Sequence, residues 1–442
     1  MPVPRGRAWP VMFLLLLSPL VAEVLWGTTT VTNPAVYLIQ IGMYGGGAVL
    51  IREVVRRWGG GWPSILLLGA AYGAIEEGLL EPNWFTPALQ THPYGVALGV
   101  FWTYAVWNLG YHAVFSIAIP ILLTELAFPV WRDKPWLGRA GTSVVGAVYA
   151  VNAAGIGLLW WAYVQPVLLH VPARVHPVQQ GTAIALVIAL IAAARLAAGI
   201  RTSSAAGPPP PAAGWLAGAA ALGATAWFGL LLLSASDNYL HWLPFPVPIT
   251  VAAGEVALAA WALRRWSART DLQVLAVCAG ALVVQMAAGF GVLGAAGPVN
   301  IIGKAVLNII AACLLAWFAL RLRRRHAHDQ HPPAPPPAIS PSPRAPAQPA
   351  GDGREDDRGT KPTRRTRVLS GLVARSRCRV RHLFQRRTRP PDAYRVNATL
   401  PAVPDGGRPE LPDPRLATRP GGTAARRTES AGTLLIRTTE LN

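Results

Sequence analysis

The sequence predicts an all-α fold: a polytopic transmembrane helix bundle of about ten spans with a disordered cytoplasmic C-terminal tail. Three observations predict it. Hydrophobic residues make up 52% of the chain and charged residues only 14%, where soluble domains carry about 25% charged residues. Apolar runs long enough to cross a bilayer, about 20 residues each, recur from the N-terminus to residue 320. The basic residues between those runs alternate. One set of loops holds Arg5 and Arg7, then Arg52, Arg56 and Arg57, then Arg132, Lys134 and Arg139, then Arg195 and Arg201, then Arg264, Arg265 and Arg269, then Arg321, Arg323, Arg324 and Arg325. The other set holds Arg174 alone. The positive-inside rule then puts both termini in the cytoplasm of a cell-membrane protein.

The runs read as spans at 9–26, 35–55, 63–81, 100–127, 142–165, 178–200, 214–234, 248–263, 272–291 and 301–320. Span one follows Arg5 and Arg7 and has the look of a signal peptide. Cleavage after Ala22 would set Leu20 where a small residue is needed, so the segment reads as an uncleaved span. Glu23 lies near its outer end. Span two carries Tyr37, Gln40 and Tyr44 before Gly45-Gly46-Gly47, a flexible or closely packed point. Span three contains Glu76-Glu77 in an otherwise uncharged run, Pro63 to Leu80. A central Asp in a span costs roughly 2.5–3.5 kcal/mol on insertion scales. A proton, a cation, a basic side chain or a water-filled pocket must offset two adjacent glutamates there.

Gly69, Gly73 and Glu77 share a helical face, and Gly69-x-x-x-Gly73 permits close helix approach. Span four carries Tyr104, Asn108, His112 and Ser116 at steps of four, a polar stripe on one face. Pro120 deprives the Ser116 carbonyl of its usual partner and is expected to kink the helix. A short connection lets the two faces meet, so Glu76, Glu77, His112, Asn108, Tyr104 and Glu23 are the candidates for a polar pocket opening outward. The bland reading of His112 is a satisfied interhelical hydrogen bonder. In the second half, Asn300, Lys304 and Asn308 form a stripe on span ten, and Glu255 lies in span eight. A Glu255–Lys304 ion pair is one expectation; Lys304 snorkelling to the interface is the other. Glu125 and Arg195 read as structural.

Four regions follow: a six-span bundle over 1–200, a Pro-rich linker over 201–213, a four-span bundle over 214–325 and a tail over 326–442. Arg56-Arg57-Trp58 and Arg264-Arg265-Trp266, with Ala105-Val-Trp-Asn108 and Ala305-Val-Leu-Asn308, raise a parallel repeat of spans 1–4 as 7–10; the alternative is chance similarity among apolar helices. The tail is Pro-rich and then Arg-rich, too polar to bury a core. Residues 321–442 hold 25 Lys+Arg against 11 Asp+Glu. Within 364–389, the apolar face of Val368 to Phe384 reads either as a basic amphipathic helix on anionic inner-leaflet lipid or as disordered chain. No motif or aromatic pattern supports specific nucleic-acid binding. Cys278, Cys313 and Cys378 form no C-x-x-C, which argues against a disulfide framework or a cysteine-rich zinc site.

Glu76-Glu77 resembles the first motif of the CAAX prenyl protease and bacteriocin-processing family, Glu-Glu-x-x-x-Arg. The resemblance implies a metal-bound or glutamate-activated water that attacks a peptide bond, with Glu76, Glu77 and His112 as the ligands of any divalent metal. The match stops early. Leu80 and Glu81 stand around the Arg position, Asn108 stands where Phe precedes the second-motif His, and a third intramembrane His-x-x-x-Asn is missing. His170, His176 and His241 fall in or near outer loops. The stretches 69–79 and 107–116 also resemble uncharacterised bacterial multi-pass proteins. Three function classes stay open: transport or binding of a cation or proton-coupled solute, intramembrane hydrolysis, and a scaffold with a partner-binding tail.

Overall fold

The computed structural model describes residues 7–86, 94–171, 175–199, 208–232, 242–266, 269–293 and 296–330. Residues 1–333 with 429–442 cluster as one unit and 334–428 as another, and the described residues all lie in the first. The proposed lipid-binding helix over 364–389, residues 201–207 of the linker, and Arg174 and His241 lie outside the described residues.

Ten helices coincide with the ten runs. They are α1 (Ala8–Val24), α2 (Pro34–Trp58), α3 (Trp62–Ile75, continuing as a π turn over Glu76–Leu80), α4 (Trp102–Ala127), α5 (Arg139–Leu168), α6 (Pro177–Gly199), α7 (Ala213–Leu232), α8 (Pro246–Arg265), α9 (Asp271–Leu293) and α10 (Pro298–Gln330). Eight are long and apolar enough to cross a membrane, and α1 is a shorter apolar helix. The two carboxylates of α3 lower its hydropathy, and it is not among the eight. One feature departs from an all-helical reading. Val96–Ala97 and Val100–Phe101 pair as a small antiparallel hairpin. Leu98 and Gly99 turn it with φ of 53° and 70°, as a two-residue turn between right-twisted strands requires. Helix α4 therefore starts at Trp102 rather than residue 100.

Helix ends follow local chemistry. Pro34 opens α2, where its missing N–H costs nothing. Gly59 closes α2 with φ of 69°, a left-handed cap that glycine adopts without strain. Pro120 leaves the Ser116 carbonyl free, and Ser18 of α1 donates to it at 2.7 Å. The distortion expected there takes the form of a π-helical segment over His112–Ala118.

The core centres on α4. The apolar stretch of α4 is 72% buried, against 6% for α10. One apolar cluster joins Val21, Trp26, Trp107, Tyr111, Phe115, Phe228 and Met286; a second joins Leu14, Met43, Val49, Ile65, Tyr72 and Ile117. At Gly69 a Cβ would lie 2.8 Å from the Ala113 Cα, and at Gly73 it would lie 2.9 Å from the His112 Cβ. The two glycines thus set α3 directly against α4, as their spacing predicts. Gly45 faces the Leu15 carbonyl oxygen, 2.3 Å from where its Cβ would be. The triple-glycine stretch is a close-packing point.

A second polar network closes the end of the bundle where α2 and α4 finish. Arg52 is 0% exposed. Its guanidinium donates to Glu125 at 2.9 Å and to the carbonyls of Trp131, Arg132 and Lys134 at 2.9, 2.7 and 3.1 Å. It also lies 3.4 Å over the Trp136 ring. Arg56 pairs with both oxygens of Glu125, while Glu53 accepts from the backbone of Trp136 and Leu137. Arg132 meets Asp271 at 2.9 Å, linking the α4–α5 connection to the start of α9.

Candidate functional site

Four π-helical segments build the site: Leu20–Val24 in α1, Ile41–Gly45 in α2, Glu76–Leu80 after α3 and His112–Ala118 in α4. They carry Glu23, Tyr44, Glu76 with Glu77, and His112 with Ser116. Such segments widen the helical ladder and recur at functional sites. In α1, Pro19 precedes the segment, and the loosened turn exposes carbonyls that other helices bond. Tyr111 donates to the Ala22 carbonyl, and Gln285 donates to the Val21 carbonyl at 2.7 Å and to the Tyr111 hydroxyl at 2.9 Å. Gly27 follows the helix with φ of 104°, and a Cβ on it would lie 2.8 Å from the Gly289 carbonyl oxygen. A Cβ would be strained there by conformation and by contact.

His112 bridges the two glutamates. Its Nδ1 lies 3.3 Å from Glu76 Oε2 and its Nε2 lies 3.6 Å from Glu77 Oε1. Nδ1 is also 3.0 Å from the Ser116 hydroxyl. Tyr44 donates to the other oxygen of Glu76, and Asn83 donates to the other oxygen of Glu77 at 2.8 Å. Three tyrosine rings surround the imidazole: Tyr44, Tyr72 and Tyr111, with centroids 6.3, 5.9 and 5.4 Å away. Glu23 accepts from Thr28 and lies within electrostatic range of His112 and Glu77. Glu81 is within range of all three other glutamates. Among the described residues no Lys or Arg pairs with any of the four carboxylates.

Glu76 is 5% exposed and His112 3%, while Glu23 and Glu81 are half-buried. Further buried polar groups lie nearby, the Tyr72 hydroxyl near Glu76 and the Asn108 amide near the Tyr104 hydroxyl. Among the described residues no group of three or more His, Cys, Asp or Glu is arranged to hold a metal ion. Both His112 nitrogens already face carboxylates, so this geometry does not form the Glu76–Glu77–His112 metal set that the protease resemblance implies.

The remaining candidates separate. Tyr104 stacks on Phe101 and Trp107, 5.4 and 5.6 Å away, and its hydroxyl lies near Asn108 at the edge of the cluster. Lys304 is buried and donates to the Leu25 carbonyl. It neither snorkels nor pairs with Glu255; the buried Leu25 carbonyl just past α1 takes its hydrogen bond. Asn300 accepts from Thr32 at 3.0 Å, and Asn308 donates to the Met286 carbonyl at 3.2 Å. This stripe joins α10 to its neighbours and to the chain that follows α1. Tyr44 and Asn83 are partners that the candidate set omits. Tyr44 carried a signal, an aromatic hydroxyl beside three glycines on the next span. Asn83 carried none, because it sits in the connection after α3.

A family model described as an uncharacterized membrane protein family matches residues 12–325. The chain belongs to that family. The matched stretch takes in α1 through most of α10, and with them every residue of the Glu76–Glu77–His112 cluster. No curated protein and no solved structure matches the chain.

Proposed function

We propose that this multi-pass membrane protein carries a small cation or a proton-coupled solute across the cell membrane, with Glu23, Glu76, Glu77 and His112 as the exchange site. The carrying observation is a charge imbalance. Four mutually interacting carboxylates share one imidazole and no Lys or Arg partner among the described residues. Inside a bilayer that excess negative charge must be offset by protons or by a bound cation. An imidazolium donates from both nitrogens, which suits His112 between Glu76 and Glu77. Three tyrosine rings wall the imidazole and keep the charge in a confined setting. Protonated His112 is then the resident cation of the cluster. When it loses its proton, an incoming cation takes over the charge balance. The loop charges support cytoplasmic termini and a cluster nearer the outer face.

The test is flux. The protein is reconstituted in vesicles with an internal pH dye and challenged with Na+, K+, Li+ and a small ammonium ion. Cation-dependent proton movement is expected, falling at least tenfold in Glu76→Gln and His112→Gln. Undiminished flux in both folded variants would overturn the proposal.

The Glu76–His112 contact also favours a second reading, hydrolysis by a glutamate-activated water, as the resemblance to the CAAX prenyl protease family implies. Peptide cleavage by the purified protein, lost in Glu76→Gln and insensitive to any cation gradient, would replace transport with hydrolysis.

A further inference from the structure

We propose that a hollow between α7, α9 and α10 holds one anionic phospholipid, with an acyl chain in the hollow and the phosphate on Arg323. The hollow measures about 340 Å³, within the size range of small-molecule sites. Its walls include Ala217 of α7, Leu275 and Ala276 of α9, and Ala312 and Ala316 of α10; among the described residues Arg323 is the one charged residue lining it. The small side chains leave space that larger ones would fill. Helices α7 and α9 meet backbone to backbone, since a Cβ on Gly280 would lie 2.1 Å from the Ala217 carbonyl oxygen. The hollow therefore has firm walls.

Its rim has the marks of headgroup depth. The Arg321 guanidinium sits 5.5 Å over the Trp317 ring. At the same level along α10, Trp317, Leu320, Arg321, Arg324 and Arg325 line a second depression on another face of the helix. Tryptophan and arginine together favour the membrane–water interface. Arg323 thus stands at headgroup depth where it lines the otherwise apolar hollow, and a lipid seated there would bring its phosphate to that residue.

Charge selects the occupant. Arg321, Arg323, Arg324 and Arg325 are exposed, and among the described residues no carboxylate pairs with them. The chain beyond α10 is strongly basic, so like charge opposes its seating at this rim. A second copy would bring the same arginines. An anionic lipid brings the complementary charge.

The experiment uses the full-length protein in vesicles of equal phosphatidylglycerol and phosphatidylcholine, with retained lipid counted by native mass spectrometry after detergent extraction. One retained phosphatidylglycerol per chain is expected. Arg323→Gln reduces retention about fivefold, the effect of one cation at headgroup depth. Arg325→Gln, with the same change in net charge, reduces it less than twofold. Ala316→Trp fills the hollow and displaces the lipid with every arginine intact. The proposal falls if phosphatidylcholine is retained equally or if the two arginine variants lose lipid equally. It falls as well if a folded Ala316→Trp variant keeps its lipid.

Discussion

His112 holds its position because of one absent side chain. Gly73 gives the imidazole room to lie on α3, and a methyl at that position would sit 2.9 Å from the His112 Cβ. Gly73→Ala is expected to cost about 1–3 kcal/mol by overpacking and to part His112 from Glu76. Gly218→Ala is the control, because nothing lies within 4 Å of a Cβ there; it should be neutral or slightly stabilising. Thermal unfolding in detergent, read beside proton flux, separates the two. Much of this residue-scale picture was legible. The cost of two carboxylates in an apolar run pointed to Glu76 and Glu77. The spacing of Gly69 and Gly73 pointed to the contact, and the stripe on α4 pointed to His112. Arg52 was not legible. Read as a loop cation, it is fully buried, and Glu125, seventy-three residues away, supplies its partner.

The helices carry their chemistry in irregular turns, which a strict period of 3.6 residues does not register. A step-of-four reading put Tyr104, Asn108, His112 and Ser116 on one continuous face. The π segment begins at His112; His112 meets the glutamates and Ser116 lies against it, while the Tyr104 ring packs in the aromatic core with its hydroxyl near Asn108. The Leu20–Val24 segment shows the other half of the matter. Its spare carbonyls are bonded by Tyr111 and Gln285, groups from α4 and α9 that no local pattern in α1 announces. Gln285→Leu leaves the Val21 carbonyl without that partner and should cost about 1–3 kcal/mol. It should also lower flux, since Glu23 lies in the same turn. Unchanged stability and unchanged flux together would show that the turn holds without α9. Tyr111→Phe, which keeps the ring beside His112, should reproduce the stability loss.

The whole molecule has two polar poles. Glutamates and His112 gather near one end, and the Arg52–Glu125 network seals the other. The order of the helices was legible because apolar runs recur along the chain with basic residues in alternate loops, and eight of the ten runs form helices long and apolar enough to cross a membrane. The hairpin before α4 was not, since two-residue strands carry no detectable alternation. The sealed end should set global stability. Arg52→Gln strips Glu125 of one partner and orphans up to three carbonyls, at a cost of about 3–5 kcal/mol for a broken buried pair. Unfolding should show that loss even though the glutamate cluster is untouched. The unequal numbers of carboxylates and imidazoles carry an electrical consequence as well. If each proton leaving the cluster is replaced by one monovalent cation, a full cycle moves no net charge, and the transmembrane potential cannot drive it. A divalent cation exchanged for one proton leaves one charge unbalanced. That cycle would be driven by about 2.3 kcal/mol per 100 mV, and it would register as a current across a planar bilayer.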